Sequence, residues 1–403
     1  MNSYTRHIGI LFLLISFVLL FGCTESFEIE NDRIENFLVI NATVTDKVSN
    51  QRIVLSRTFG FEESEPIPEE GASIVIIENN VTEYQFNENS PGEYYSVQEF
   101  GVTAGNEYKL IVRTANGRSY SSQKVIAPQP TSIERVYVKR MINDQGTEGV
   151  GVFLDTFDLT GNSLYYRYEF EETYRIVAPL WISFDIVSQL QAADVVFSLV
   201  ERPQGQRVCY KTELSKNINV VNTSGFTEDR IQDLMINFIP ADDIRVADRY
   251  SILVKQYVQT KEAQAFYKVL SDFSGSETVF SQIQPGFIRG NIVSETDGDE
   301  NVVGFFDVSS LTEQRVFFNR GELIGDLPVY MLECQEFVPE PSMNESVFEY
   351  EKRLHFTIAG SRYKLASSNL NVTASPPAIR LIPRACGDCT AIGNSEVPGF
   401  WVD

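Results

Sequence analysis

Two histidines, five cysteines and 55 acidic side chains set what chemistry this chain can attempt. A hydrolytic triad needs a base, and outside the first few residues the one histidine is His355. It sits in Arg353-Leu-His-Phe-Thr-Ile, an alternating pattern that reads as a strand over 353–360. A strand histidine at the surface or in a polar contact is the expected state. Glu169, Glu171 and Glu172 cluster in another strand, and the two ends of that cluster are read as sharing a face, as a glycosidase pair does. A solvated sheet face is the favoured reading. Asp297-Gly-Asp-Glu-Asn301 offers oxygens to calcium but lacks the length and later glutamate of an EF-hand loop, so it reads as a polar turn. No G-x-S-x-G, H-E-x-x-H or P-loop occurs. No catalytic, cofactor or metal residue is therefore expected, and the chain is read as a non-enzyme.

The cysteines divide into one and four. Cys23 ends a leader: Ile8 to Phe21 is apolar except for Ser16, too short to span a bilayer and of signal-peptide length. Leu20-Phe21-Gly22-Cys23 resembles a bacterial lipobox, which implies cleavage before Cys23 and fatty acylation of its sulfur and amine. More than one acyl chain gives stable anchoring, so the membrane is a partner through Cys23 without being crossed. Thr24-Glu25-Ser26-Phe27-Glu28 reads equally as a flexible acidic tether or as a stretch that looks like the acidic-aromatic tag that sends lipoproteins to the outer face of the outer membrane. Cys209, Cys334, Cys386 and Cys389 remain, an even number in an exported protein, which favours disulfides over a zinc or redox site. Of three possible pairings, Cys386–Cys389 with Cys209–Cys334 is the favoured one.

These residues need a scaffold, and the chain is long enough for two or three domains. A formal net charge of −22 over 403 residues repels nucleic acid, which is excluded as a partner. From Phe37 onward short alternating segments recur about every ten residues, with Asn79-Asn80 and Asn116-Gly117 as hairpin turns. That pattern is mainly β. Residues 1–22 read as a lipoprotein signal peptide and 23–29 as a tether. Residues 30–127 read as an immunoglobulin-like β-sandwich ending at Ala127-Pro-Gln-Pro130. Residues 128–403 read as a larger β-rich domain with one or two helices. Strands are expected at 149–155, 163–177, 193–200, 249–258, 302–309, 328–336, 353–360 and 376–382. A helix capped by Thr260 carries Ala263, Phe266, Tyr267, Leu270 and Phe273 at helical spacing, and a shorter one starts near Thr227. Tyr165, Tyr166, Tyr168 and Tyr174 crowd one strand, suited to binding but read first as cross-strand packing.

Several stretches together resemble a Bacteroidota lipoprotein family filed as domain of unknown function 4249. They are Ser163-Leu-Tyr-Tyr-Arg-Tyr-Glu-Phe-Glu-Glu-Thr-Tyr-Arg-Ile-Val-Ala-Pro179, Val208-Cys-Tyr210, Tyr250-Ser-Ile-Leu-Val-Lys-Gln-Tyr257, Gly290-Asn-Ile, Val303 to Ser310, Cys386-Gly-Asp-Cys389 and Pro398-Gly-Phe-Trp401. The resemblance implies an outer-membrane lipoprotein, facing the cell surface, that serves a TonB-dependent receptor in nutrient capture or gating. A small molecule or peptide is the implied ligand. The alternative is a structural or assembly accessory that binds another envelope protein.

Overall fold

The computed structural model describes residues 37–58, 66–274, 288–327, 332–367, 377 and 379–403. Cys23, the leader and the residues up to Asn36 lie outside them. The fold is mainly β, organised as two sandwich-like layers and a small mixed cap.

The first strand, Leu38–Thr45, buries Leu38, Ile40, Ala42 and Val44 on one face, as its alternation requires. It pairs antiparallel with Arg52–Arg57. Ser73–Glu78 and Thr82–Ser90 form a hairpin through Asn79 and Asn80, both at positive φ (50° and 57°), the geometry of a type I′ turn. Glu107–Arg113 and Ser119–Ser122 form another across Asn116-Gly117, with Gly117 at φ 86°. The expected hairpins are therefore present.

Residues before Pro128 do not fill this first core alone. Ile292–Ser294 pairs with Ser119–Ser122, and Val302–Asn319 runs parallel to Leu38–Thr45. Ile292, Val302, Phe306 and Val308 pack among the side chains of the N-terminal strands. Gly304 makes the parallel contact possible. It lies at φ 125°, and a Cβ there would come within 2.0 Å of the Ile40 carbonyl oxygen.

Val302–Asn319 is an 18-residue spine rather than a strand ending at 309. Its first half serves the first core; Val316 and Phe318 serve a second. The polar stretch between them obscures the continuity, because it crosses the gap between cores: the Thr312 hydroxyl donates to the Thr131 carbonyl (2.9 Å). The spine pairs with Arg249–Val258, which pairs with Tyr165–Val177 and then Val208–Leu214. A three-stranded sheet of Ile133–Ile142, Glu148–Phe157 and Arg230–Pro240 packs on this layer and closes the second core.

The cap joins the hairpin Phe184–Leu190 and Val195–Glu201 to the helix Val347–Ala359 and the short pair Tyr363–Leu365 and Leu381–Pro383. The strand expected at 353–360 is thus helical. A Ser346–Glu349 capping box starts the helix, and Tyr350 and Leu354 bury one turn apart, a spacing that outweighs the local alternation around His355. Residues 332–336 form no strand, and 328–331 of that expected element lie outside the described residues. Near Thr227 the chain turns and enters Arg230–Pro240 instead of starting a helix; Asp229, two residues on, takes the Thr223 hydroxyl at 2.6 Å. The helix after Thr260 does form, over Lys261–Ser274, and the Thr260 hydroxyl accepts from the Ala263 N–H (3.2 Å). Among the described residues no helix is long and apolar enough to cross a membrane.

Candidate functional site

The strand Tyr165–Val177 separates two kinds of side chain by parity. Tyr166, Tyr168, Tyr174 and Ile176 point into the second core and are buried. Three of the four clustered tyrosines are therefore packing, and Tyr165, at the opposite parity, is partly buried. Glu172 shares that buried face. It accepts from the Tyr250 hydroxyl (2.6 Å), Arg245 (2.9 Å) and Asn237 (3.3 Å). Glu169 and Glu171 lie on the opposite face, where Glu171 takes Arg315 (2.9 Å) and Glu169 takes Arg167 and the Tyr257 hydroxyl (3.2 Å). The two ends of the cluster, Glu169 and Glu172, do not share a face: three residues apart on a strand is an odd step. The same-face pairing expected of Glu169 and Glu172 is therefore absent.

On that second face the two sandwiches meet, and a pocket of about 270 Å³ opens beside the Lys261–Ser274 helix. Arg167 forms its floor, with only 5% of its side chain exposed. Its guanidinium lies between two rings, 4.0 Å from the centre of Tyr257 and 4.4 Å from that of Tyr267. Asp307, fully buried on the spine, stands 3.5 Å from Arg167 and accepts from Gln259 (2.7 Å) and Ser309 (2.7 Å). Burial raises the Tyr257 and Tyr267 phenols above their ordinary value despite the Arg167 charge, so both stay neutral near pH 7. Asn41 and Thr43, on the first strand, line the wall, and the Thr43 hydroxyl sits 3.4 Å from that of Tyr267. Phe266 stacks on Phe305 at 5.0 Å and fixes the helix on the sheet. Five elements from across the chain thus converge on one concavity. The local signals were Arg167 inside a tyrosine-rich strand and Tyr267 on the helix stripe; their meeting had none.

The other candidates are committed to structure. Glu300, in the Asp297–Asn301 turn, accepts from Arg118 (2.6 Å), the Tyr120 hydroxyl (2.8 Å) and the Ser294 hydroxyl (2.9 Å). Burial works to raise its carboxyl, but those hydrogen bonds hold it below the ordinary value. Among the described residues no three His, Cys, Asp or Glu side chains gather as metal ligands. His355, half-buried on its helix, places Nδ1 2.9 Å from the Ser188 hydroxyl. Among the described residues no carboxylate is hydrogen-bonded to the ring.

All four remaining cysteines are bonded, but as Cys209–Cys389 and Cys334–Cys386, with Cα separations of 5.5 and 5.7 Å. The expected pairing is wrong in both bonds. Cys386 ends in the short helix Arg384–Gly387, extended Asp388 follows, and a new 3₁₀ turn begins at Cys389. That break aims the two sulfurs in different directions, one at the cap and one at the Val208–Leu214 strand. Asp388 between them is 2% exposed and faces Lys364 (3.8 Å) and Arg384 (3.5 Å). Burial works to raise its carboxyl, but the Thr390 hydroxyl and N–H, with those two cations, hold it below the ordinary value.

The described residues thus form a mainly β, sandwich-like fold with two large cores, a polar pocket between them and a disulfide-stapled cap. The chain belongs to the family described as Domain of unknown function (DUF4249), whose model matches residues 24–315. Every residue lining the pocket falls inside that stretch, whereas Cys334, Cys386, Cys389 and the Pro398–Trp401 segment fall beyond it. No curated protein matches the chain.

Proposed function

We propose that this protein is a lipid-anchored component of the outer membrane, exposed at the cell surface, that captures a small ligand for a TonB-dependent transporter. The observation that carries the reading is Leu20-Phe21-Gly22-Cys23 at the end of the apolar run Ile8–Phe21. Acylation there holds the folded body at the membrane with no spanning segment. Fourteen residues, Thr24 to Phe37, separate Cys23 from the first strand, a contour of at most about 48 Å. That length lets the body lie against a neighbouring barrel. The pocket at the sandwich junction supports the capture role, since it is concave and lined by a few convergent polar groups between aromatic walls. The net charge of −22 keeps the body off anionic headgroups.

Affinity purification of the native protein from detergent-solubilised outer membrane tests the reading. Recovery of a TonB-dependent barrel in stoichiometric amount supports it; recovery with no barrel overturns it.

A further inference from the structure

We propose that the pocket beside the Lys261–Ser274 helix binds a small, uncharged, polyhydroxylated molecule the size of one sugar ring. The cations around the pocket are already matched within the protein. Arg167 faces Glu169 and Asp307, and Arg52 at the rim pairs with Glu93 at 2.5 Å. An anionic ligand would lose its hydration and meet no unpaired cation, which is unfavourable. The remaining capacity is mostly neutral: the exposed Asn41 amide and the Thr43 and Tyr267 hydroxyls, which lie 3.4 Å apart and share one hydrogen bond, both donate and accept, and partly exposed Glu169 accepts. Adjacent hydroxyls on a ring also donate and accept, so they match such a mixed set better than a carboxylate or an ammonium does. Val54, Ile218 and the tyrosine rings supply apolar wall for the ring C–H bonds.

Size narrows the class further. The volume of about 270 Å³ lies below the roughly 300–1,000 Å³ of drug-sized sites. One ring with a few waters fits; a peptide of several residues does not. Asn41 at the mouth is exposed, so a ring at the end of a longer chain also has access.

This inference rests on the capture reading for its biological role, but its test needs neither lipid nor transporter. Saturation-transfer NMR on the purified full mature chain, with D-glucose, D-galactose, D-mannose and N-acetyl-D-glucosamine at about 10 mM, covers dissociation constants near 1 mM. At least one sugar is expected to receive saturation. Asn41→Ala and Thr43→Val remove one hydrogen-bonding group each and are expected to weaken binding about fivefold, the equivalent of about 1 kcal/mol. Asn41 is exposed, so its variant should fold normally, and an unchanged melting temperature verifies that. The proposal is overturned if no sugar in the panel receives saturation, if acetate or glycine binds in preference, or if both variants bind as tightly as the parent. Absent sugar binding in protein that still co-purifies with a barrel removes the ligand class and leaves the capture role standing.

Discussion

The two disulfides make a prediction about relative stability that follows from their topology. Cys209–Cys389 closes 180 residues and Cys334–Cys386 closes 52. With the inner bond intact, the path between Cys209 and Cys389 shortens to about 128 residues, because the bridge bypasses most of the inner loop. The chain-entropy relation then gives about 5 kcal/mol for Cys209–Cys389 and about 4 kcal/mol for Cys334–Cys386 at 25 °C. Each variant keeps the other bond, closing 52 or 180 residues, so the difference between them is about 1.1 kcal/mol, more dependable than either total because the intrinsic term cancels. Burial points the same way: Cys209 and Cys389 are fully buried in the second core, while Cys334 is only partly buried. The assay compares Cys209→Ala/Cys389→Ala with Cys334→Ala/Cys386→Ala by guanidinium denaturation, following Trp401, which packs on Tyr210 beside Cys209. The first pair is expected to lose more stability. Peptide mapping without reduction should recover Cys209 linked to Cys389. A larger loss from the second pair, or a Cys386–Cys389 peptide, refutes the reasoning.

Three further perturbations follow from the same contacts. Gly304→Ala places a Cβ against the Ile40 carbonyl at positive φ, so a loss of at least about 2–3 kcal/mol is expected in thermal melts; a neutral result contradicts the parallel pairing. Tyr250→Phe removes the 2.6 Å hydrogen bond to buried Glu172 and should lower stability by about 1–2 kcal/mol in urea, with Arg245 and Asn237 limiting the loss; no change contradicts the network. Asp388 ionises more readily folded than unfolded, so its contribution is present above about pH 4 and is lost as pH falls through its folded value. Asp388→Asn should therefore flatten the acid limb of melting temperature against pH; parallel curves for variant and parent would show that the carboxylate is not stabilised by Thr390, Lys364 and Arg384.

Much of the fold was legible wherever one face of an element is buried and the other is not. Leu38–Thr45 and Glu107–Arg113 alternate cleanly, and Asn79-Asn80 supplies the turn their neighbours need. The Lys261–Ser274 helix carried both its cap and its stripe. The spine was only half legible, because Ser309 to Gln314 crosses between cores and has no apolar period to read. The Val347–Ala359 helix was misread as a strand from the alternation in Arg353-Leu-His-Phe-Thr-Ile358, although the Ser346 and Glu349 capping pair was visible. The pocket depends on Tyr257 and Tyr267 arriving 90 and 100 residues after Arg167, a meeting set by strand order. Disulfide pairing failed for the same reason: proximity in sequence does not determine where a sulfur points.

The measurement that bears most directly on the account is intact mass spectrometry of the mature N-terminus from native membranes. The expected species begins at Cys23 and carries fatty acyl chains on that residue. A chain that begins at Met1, or that bears no lipid on Cys23, contradicts the anchored location and the transporter partnership with it.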